Sequence, residues 1–439
     1  MPLGDVENGG SRRTIHNSFD ILPKTSQYSE SQWYADDGKQ LCYTAHGDEE
    51  SYDRMVKRIA TVIKDCLIYY DPVNYPLYEF GTLTIQDGSD TACACDACVA
   101  AKNAYGSNSG AIIVMCNRVM EELETLMELP ENQPYKRDSF KLAFFAYHSY
   151  FDAPTYYDEE TETFVLNHED LKMRDDVAVY MATSSMTSGF VRTVNIYDEI
   201  NTKARNNLLG WSAISDTMYL WTYQTNFSDY LTFSSTFNFY NTDGFQFLAS
   251  IGAKMMANQG SQGSMNYTGF QALKPFLDYK LQWNSSLDSD KLTDEWFEAM
   301  YREAAPVMKE LYLEEMQHDI AWYIETGNWK INNGNRSSEA RFYPLNLLTK
   351  WFGILDEAYA IVKDKYENGD PETYAMLKNH IDMEWVYPGY KFLVYYTEET
   401  ADPALIAEAK AYFKSTIALM PPYQVSESSV NLNDWIAKL

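Results

Sequence analysis

The sequence predicts an α/β fold of the (β/α)8-barrel type, missing its first strands and followed by an α-helical C-terminal domain. Three observations predict it. Between about residue 80 and residue 265, short β-branched and aromatic runs alternate with helices of 3.6-residue periodicity, the pattern of parallel βα units. These runs end in polar groups, where α/β folds keep their sites. From Phe270 onward the pattern is almost pure helix.

Residues 1–14 are polar and glycine-rich and read as a lead-in. Residues 15–23, a loop with Trp33 and Tyr34, and a turn at Asp36-Asp37-Gly38 follow, and residues 40–44 read as a short strand or extended loop. Residues 49–67 set Tyr52, Met55, Val56, Ile59 and Ile63 on one helical face. Leu83-Thr84-Ile85 reads as a buried strand that breaks at Gln86-Asp87-Gly88. A helix takes over near Ser109 and runs to Leu129, with Ile112, Ile113, Cys116 and Val119 on one side. Further strands cover residues 140–148, 177–182, 218–223 and 254–257, with helices over 196–213 and 242–251. About five units precede residue 265, whereas a closed barrel has eight. Either the others are cryptic in residues 15–75 or the chain starts partway into a barrel; the scarcity of strand runs there favours the second.

In the C-terminal region, Asp288-Ser289-Asp290 caps one helix and Pro306 begins another. Asp370-Pro371 and Asp402-Pro403 each place a capping acid before a proline at the first helical position. The expected domains are therefore the lead-in 1–14, a partial barrel over 15–268 and a helical domain over 269–439.

With 35 basic and 63 acidic residues among 439, the net charge is −28, a field that repels phosphate backbones and disfavours nucleic-acid binding. No apolar run approaches the ~20 residues of a membrane span, and the first residues lack the apolar core of a signal peptide. Tyrosine (35) and tryptophan (10) are abundant. Their rings suit ordinary packing and also stacking on sugars.

Six cysteines are too few for a disulfide scaffold, yet Cys93, Cys95 and Cys98 fall within six positions. Three thiolates at this spacing could hold a structural zinc, with a fourth ligand from Cys42, His46 or His148. Reduced thiols pinning a loop are the alternative. Asp87, just past a strand, is the best single carboxylate for acid or base chemistry, and it could equally cap a turn with Gly88. Other strand ends supply His148, Trp221, Tyr223, Asn226, Asn258 and Gln259, groups that hydrogen-bond or stack on a polyhydroxylated ligand. Asp229 lies near the Trp221 strand end with no assigned role. Dinucleotide, Walker, serine-hydrolase and HExxH motifs do not occur.

Residues 15 to about 320 resemble an uncharacterised bacterial domain family of unknown function, found in large proteins of carbohydrate-degrading bacteria. The segments that carry the resemblance are IHNSFDILP, QLCYTAH, QDGSDTACACDAC, NNLLGWSAISDTMYLWTYQTNFSDYL and NYTGFQALKPFLDYKLQWNSSLD. The CxCxxC cluster with a later WxYxTNF segment is the specific combination. That family looks like a relative of α-glucuronidase and β-N-acetylhexosaminidase barrels. The resemblance implies a TIM-barrel-like fold that is N-terminally truncated, with exposed sheet edges, and a location outside the cell or on its surface. Many relatives carry glutamates at positions that here hold Ser185 and Asn258, neither of which can exchange a proton as a carboxylic acid does. Glycoside hydrolysis ordinarily needs two carboxylates.

Together these readings give a glycoside-hydrolase-like protein that acts on or binds glycans. Asp87 is the catalytic candidate, and His148, Trp221, Tyr223, Asn226, Asn258 and Gln259 line the sugar site. A non-catalytic glycan-binding module is one alternative, and a metal-stapled interaction domain is the other.

Overall fold

The computed structural model describes residues 2–5, 11–87, 92–183, 194–223, 227, 229–233, 241–260, 268–326, 340–421, 423–426 and 431–439. A short helix α1 (Ser18–Ile21) and the long α2 (Glu49–Tyr69) precede strand β1 (Phe80–Leu83), and α3 (Asp96–Tyr105) and α4 (Ser109–Met127) follow it. Next come β2 (Lys141–Ala146), the hairpin β3 (Thr155–Asp158) and β4 (Thr163–Leu166), and β5 (Val177–Ala182). The alternation ends with α5 (Thr202–Ile214), β6 (Met218–Tyr223), α6 (Thr242–Ser250) and β7 (Ala253–Gln259). Beyond it the regular elements among the described residues are helices: α7 (Leu273–Trp283), α8 (Ser289–Tyr301), α9 (Ala305–Thr326), α10 (Leu345–Tyr366), α11 (Pro371–Tyr395), α12 (Pro403–Ser415) and α13 (Leu432–Ile436).

The sheet has the order β1-β2-β5-β6-β7, so neighbours in space follow the chain. The pairs β1/β2, β2/β5 and β5/β6 are parallel. The fold is therefore α/β with a parallel-strand sheet and a helical C-terminal region. Strand burial explains why the apolar runs were continuous: all six residues of β5 are buried, as expected when both faces of a parallel sheet are covered. On one face Phe144 packs against Trp211 of α5 at 5.6 Å. The other carries Ala143, Phe145, Ala178, Tyr180 and Ala182, with Tyr147, Tyr219, Trp221 and Met255 packed against them.

Described residues of the first segment pack against β1. Leu3 is fully buried and bridges to Arg13, and a side chain at Gly81 would collide with it. Residues 13–18 then run beside β1. The Asn17 amide accepts from the Thr84 N–H at 2.9 Å and donates to the Thr82 carbonyl at 2.6 Å, and the Ser18 N–H donates to the Thr84 carbonyl. Such bonding satisfies the Thr82 carbonyl of β1 and the Thr84 backbone just past it, groups that an exposed edge would leave open.

Helix α3 is an element the periodicity did not reveal. None of its residues is buried, so the sequence has no apolar stripe to announce it. Its start is fixed instead by the Cys95 sulfur, which accepts from the Cys98 N–H, and its end by Gly106 at φ +74°. The stretch at residues 40–44 is extended loop, bridging only through Leu41 to Tyr34.

The chain forms two compact units. The first comprises residues 1–190, 201–222 and 248–257; the second comprises 191–200, 223–247 and 258–439. No helix among the described residues is long and apolar enough to cross a membrane.

Candidate metal centre and strand-end residues

The cysteines meet in the first unit. The extended loop after Leu41 delivers Cys42, the connection from β1 to α3 delivers Cys93 and Cys95, and the first turn of α3 delivers Cys98. Cys42 and Cys93 are buried, and Cys95 and Cys98 are half-buried. The Cys42 sulfur lies 3.7 Å from that of Cys95 and 3.6 Å from that of Cys98. Cys42, His46, Cys93 and Cys95 offer ligand atoms all within 4.8 Å of one another. Of the three fourth-ligand candidates, the loop thus brings in two, Cys42 and His46. His148 is outside that group, its ring against Tyr147 at 3.8 Å.

Local backbone geometry builds the cluster. Ala45 and His46 both have positive φ, 44° and 55°, an unusual pair for side-chain-bearing residues. The reversal turns the His46 N–H back onto the Cys42 sulfur at 3.2 Å, as the Cys98 N–H turns onto Cys95. Thr44 Oγ1 sits 3.2 Å from the Cys98 sulfur. Hydrogen bonds of this kind stabilise negative charge on sulfur. Bonding from Cys93 and then Cys98 draws the Cys42 thiol far below its usual range. The same contact with Cys42 pushes Cys93 up to about 12 and Cys98 up as well. Negative charge on Cys42 thus opposes ionisation of Cys93 and Cys98, and a cation among the sulfurs would relieve that repulsion.

Gln40, itself buried, ties this loop to the end of β1: its Nε2 donates to the Gln86 carbonyl at 2.9 Å and its Oε1 accepts from the Gln86 N–H at 3.0 Å. Asp87 comes next. It stands exposed in a turn four residues beyond β1, without the enclosure that strand-end placement suggested.

In the same unit, β2, β5 and β6 present a run of rings. Phe145 stacks on Tyr147 at 5.0 Å and meets Tyr180 at 5.3 Å, and Tyr180 meets Trp221 at 6.2 Å. His16 closes one end, 6.0 Å from Phe145. Trp221, Tyr147 and His148 are each half-buried.

Tyr223, Asn258 and Gln259 belong to the second unit. Tyr223 is buried against Phe227 at 5.7 Å. Asn258 lies beside the Asp278 carboxyl of α7, which burial pushes above its ordinary range and which accepts from Gln282 at 2.7 Å. Sequence reasoning missed Asp278 and the buried Lys274 one turn before it. The signal was present as two charges at i, i+4 on the face that carries Leu273, Leu277 and Leu281. Asp229 is not available as a second carboxylate in solution, because it is buried and ion-paired with Lys391. Asn226 and Ser185 lie outside the described residues.

The fold and the site define a parallel βα protein with a cysteine–histidine cluster beyond its first described strand and an aromatic sheet face. The chain belongs to a family recognised by its sequence, described as Domain of unknown function (DUF4838), whose model matches residues 39–313. That match takes in all six cysteines and the whole sheet. No curated protein matches the chain.

Proposed function

We propose that the protein recognises glycans through the aromatic face of its sheet, which forms one arc of a (β/α)8 barrel related to glycoside-hydrolase barrels, in a protein working outside the cell or on its surface. One observation carries this reading: the continuous run Tyr147, Phe145, Tyr180 and Trp221 across β2, β5 and β6, with Tyr147 and Trp221 still partly accessible. Half-buried rings with polar tips suit the apolar faces and hydroxyls of sugars. Binding is favoured over hydrolysis because Asp87 is exposed and Asp229 is ion-paired. The test is an array of plant, bacterial and host glycans probed with the full chain. Retention of a glycan by the parent, lost in Trp221→Ala and kept in Trp283→Ala, a control 92 % exposed, is the expected result. No retention on any glycan overturns the reading, and hydrolysis of a retained glycan abolished by Asp87→Asn would restore the enzymatic alternative.

The cysteine cluster supports a second reading, a structural zinc that staples the loop at Cys42 to the β1–α3 connection. Soft thiolates in a tetrahedral arrangement select zinc. Metal analysis of protein purified without chelator tests it, one zinc per chain being expected.

A further inference from the structure

We propose that the zinc of that second reading, on which this inference rests, is held by four sulfurs, those of Cys42, Cys93, Cys95 and Cys98, with His46 beside the shell and not in it. Cys42, His46, Cys93 and Cys95 lie within 4.8 Å of one another, Cys98 joins them through the Cys42 sulfur, and a tetrahedral ion takes four of these five donors. The distances choose among them. A tetrahedral centre with bonds of ~2.3 Å to sulfur has sulfur–sulfur edges of about 3.8 Å. The Cys42–Cys95 and Cys42–Cys98 separations are 3.7 and 3.6 Å, and Cys93 contacts both Cys42 and Cys98 through sulfur. Cys98 therefore sits at ligand distance from the sulfur that every other member shares.

His46 is placed differently. Its Nε2 is 2.8 Å from the Tyr34 carbonyl, to which it must donate, and its Nδ1 faces the exposed Asp36 carboxylate at 3.9 Å. Nδ1 is then the one ring nitrogen with a lone pair to offer, and it lies on the side of the exposed Asp36, while the His46 backbone N–H donates to the Cys42 sulfur. The residue's contribution to the centre is that N–H, delivered by the left-handed turn at Ala45 and His46. Four sulfurs leave no open coordination position, so the centre is a fastener and does no chemistry on a substrate. It joins two segments that are more than fifty residues apart in sequence. Binding the ion as four thiolates releases the remaining thiol protons to solvent.

The experiment uses the full chain loaded with Co²⁺ in place of zinc, because thiolate-to-cobalt charge-transfer intensity scales with the number of sulfur ligands. Expected are one Co²⁺ per chain and a four-sulfur intensity in the parent and in His46→Gln. Cys98→Ser should show about three-quarters of that intensity and bind metal at least about tenfold more weakly. Should Cys98→Ser fail to fold, the sulfur count of the parent decides by itself. A three-sulfur spectrum in the parent, with metal lost in His46→Gln and kept in Cys98→Ser, overturns the ligand assignment and leaves the structural-zinc reading standing. Failure of the parent to bind Zn²⁺ or Co²⁺ overturns both.

Discussion

Lys391 of α11 and Asp229, 162 positions earlier in the chain, form an ion pair with side chains only 1 % and 3 % exposed. The Lys391 ammonium also faces the Tyr343 ring at 5.3 Å. Two charges out of water are tolerated when they neutralise each other, and removing one leaves the other stranded. Asp229→Asn should therefore lower unfolding free energy by about 3–5 kcal/mol, measured by urea denaturation. Replacing both partners with apolar residues of similar volume should recover most of that loss. A single variant as stable as the parent would show that other groups carry the Lys391 charge.

A second buried acid makes the stability of the second unit pH-dependent. Burial raises Glu384 from 4.5 to about 8, although its carboxyl accepts from the Phe270 N–H at 2.9 Å and from the Tyr301 hydroxyl. Glu315, whose carboxyl oxygens make no hydrogen bond, is pushed up beside it. An acid that binds its proton more tightly when folded stabilises fully at pH below its unfolded range, and that contribution is lost as pH rises through the folded value. Stability should fall between about pH 5 and pH 8, and Glu384→Gln should flatten the decline and raise Tm at pH 8. Thermal melts across that range check it, and an equally steep profile in the variant would reject the assignment.

Helix α3 ends on a position that only glycine suits. Gly106 has φ +74°, and a Cβ there would meet the Asn167 amide nitrogen at 2.3 Å. That amide donates to the Tyr105 carbonyl at 2.8 Å, closing the helix. Gly106→Ala should cost at least about 1–2 kcal/mol from backbone strain alone, with the displaced Asn167 adding to it. Asn167→Gly forfeits that bond but removes the collision, so the double variant should lose less than the sum of the two single losses, and a loss equal to that sum would contradict this account.

In the core of the sheet, Phe144 is fully buried between β2 and Trp211 of α5. Phe144→Ala should destabilise by about 3–5 kcal/mol, read from denaturant midpoints. A loss below about 1 kcal/mol would mean that the neighbouring helix closes over the cavity.

The periodic elements were legible because their residues carry the pattern themselves. Tyr52, Met55, Val56, Ile59 and Ile63 announce α2, and the apolar run at residues 177–182 is β5 to the residue. Helix α3 was not legible, since none of its residues is buried and its capping group is a sulfur. The hairpin of β3 and β4 was also missed, its residues being only partly buried. For the metal cluster, spacing identified Cys93, Cys95 and Cys98, yet it left Cys42, His46 and His148 equal as a fourth ligand. Three-dimensional folding separated them, bringing in the loop of Cys42 and His46 and turning His148 against Tyr147.

The sequence by itself determined the α/β class, the helical C-terminal region and the cysteine triplet, because local periodicity and short spacings are written within a few turns of chain. Tertiary structure alone decided that Asn17 bonds the end of β1, that Asp87 stands in solvent, that Lys391 occupies Asp229, and that Cys42 joins the thiols. Each of these depends on which distant segments share one small volume, and burial and charge are properties of that volume, not of the residue placed in it.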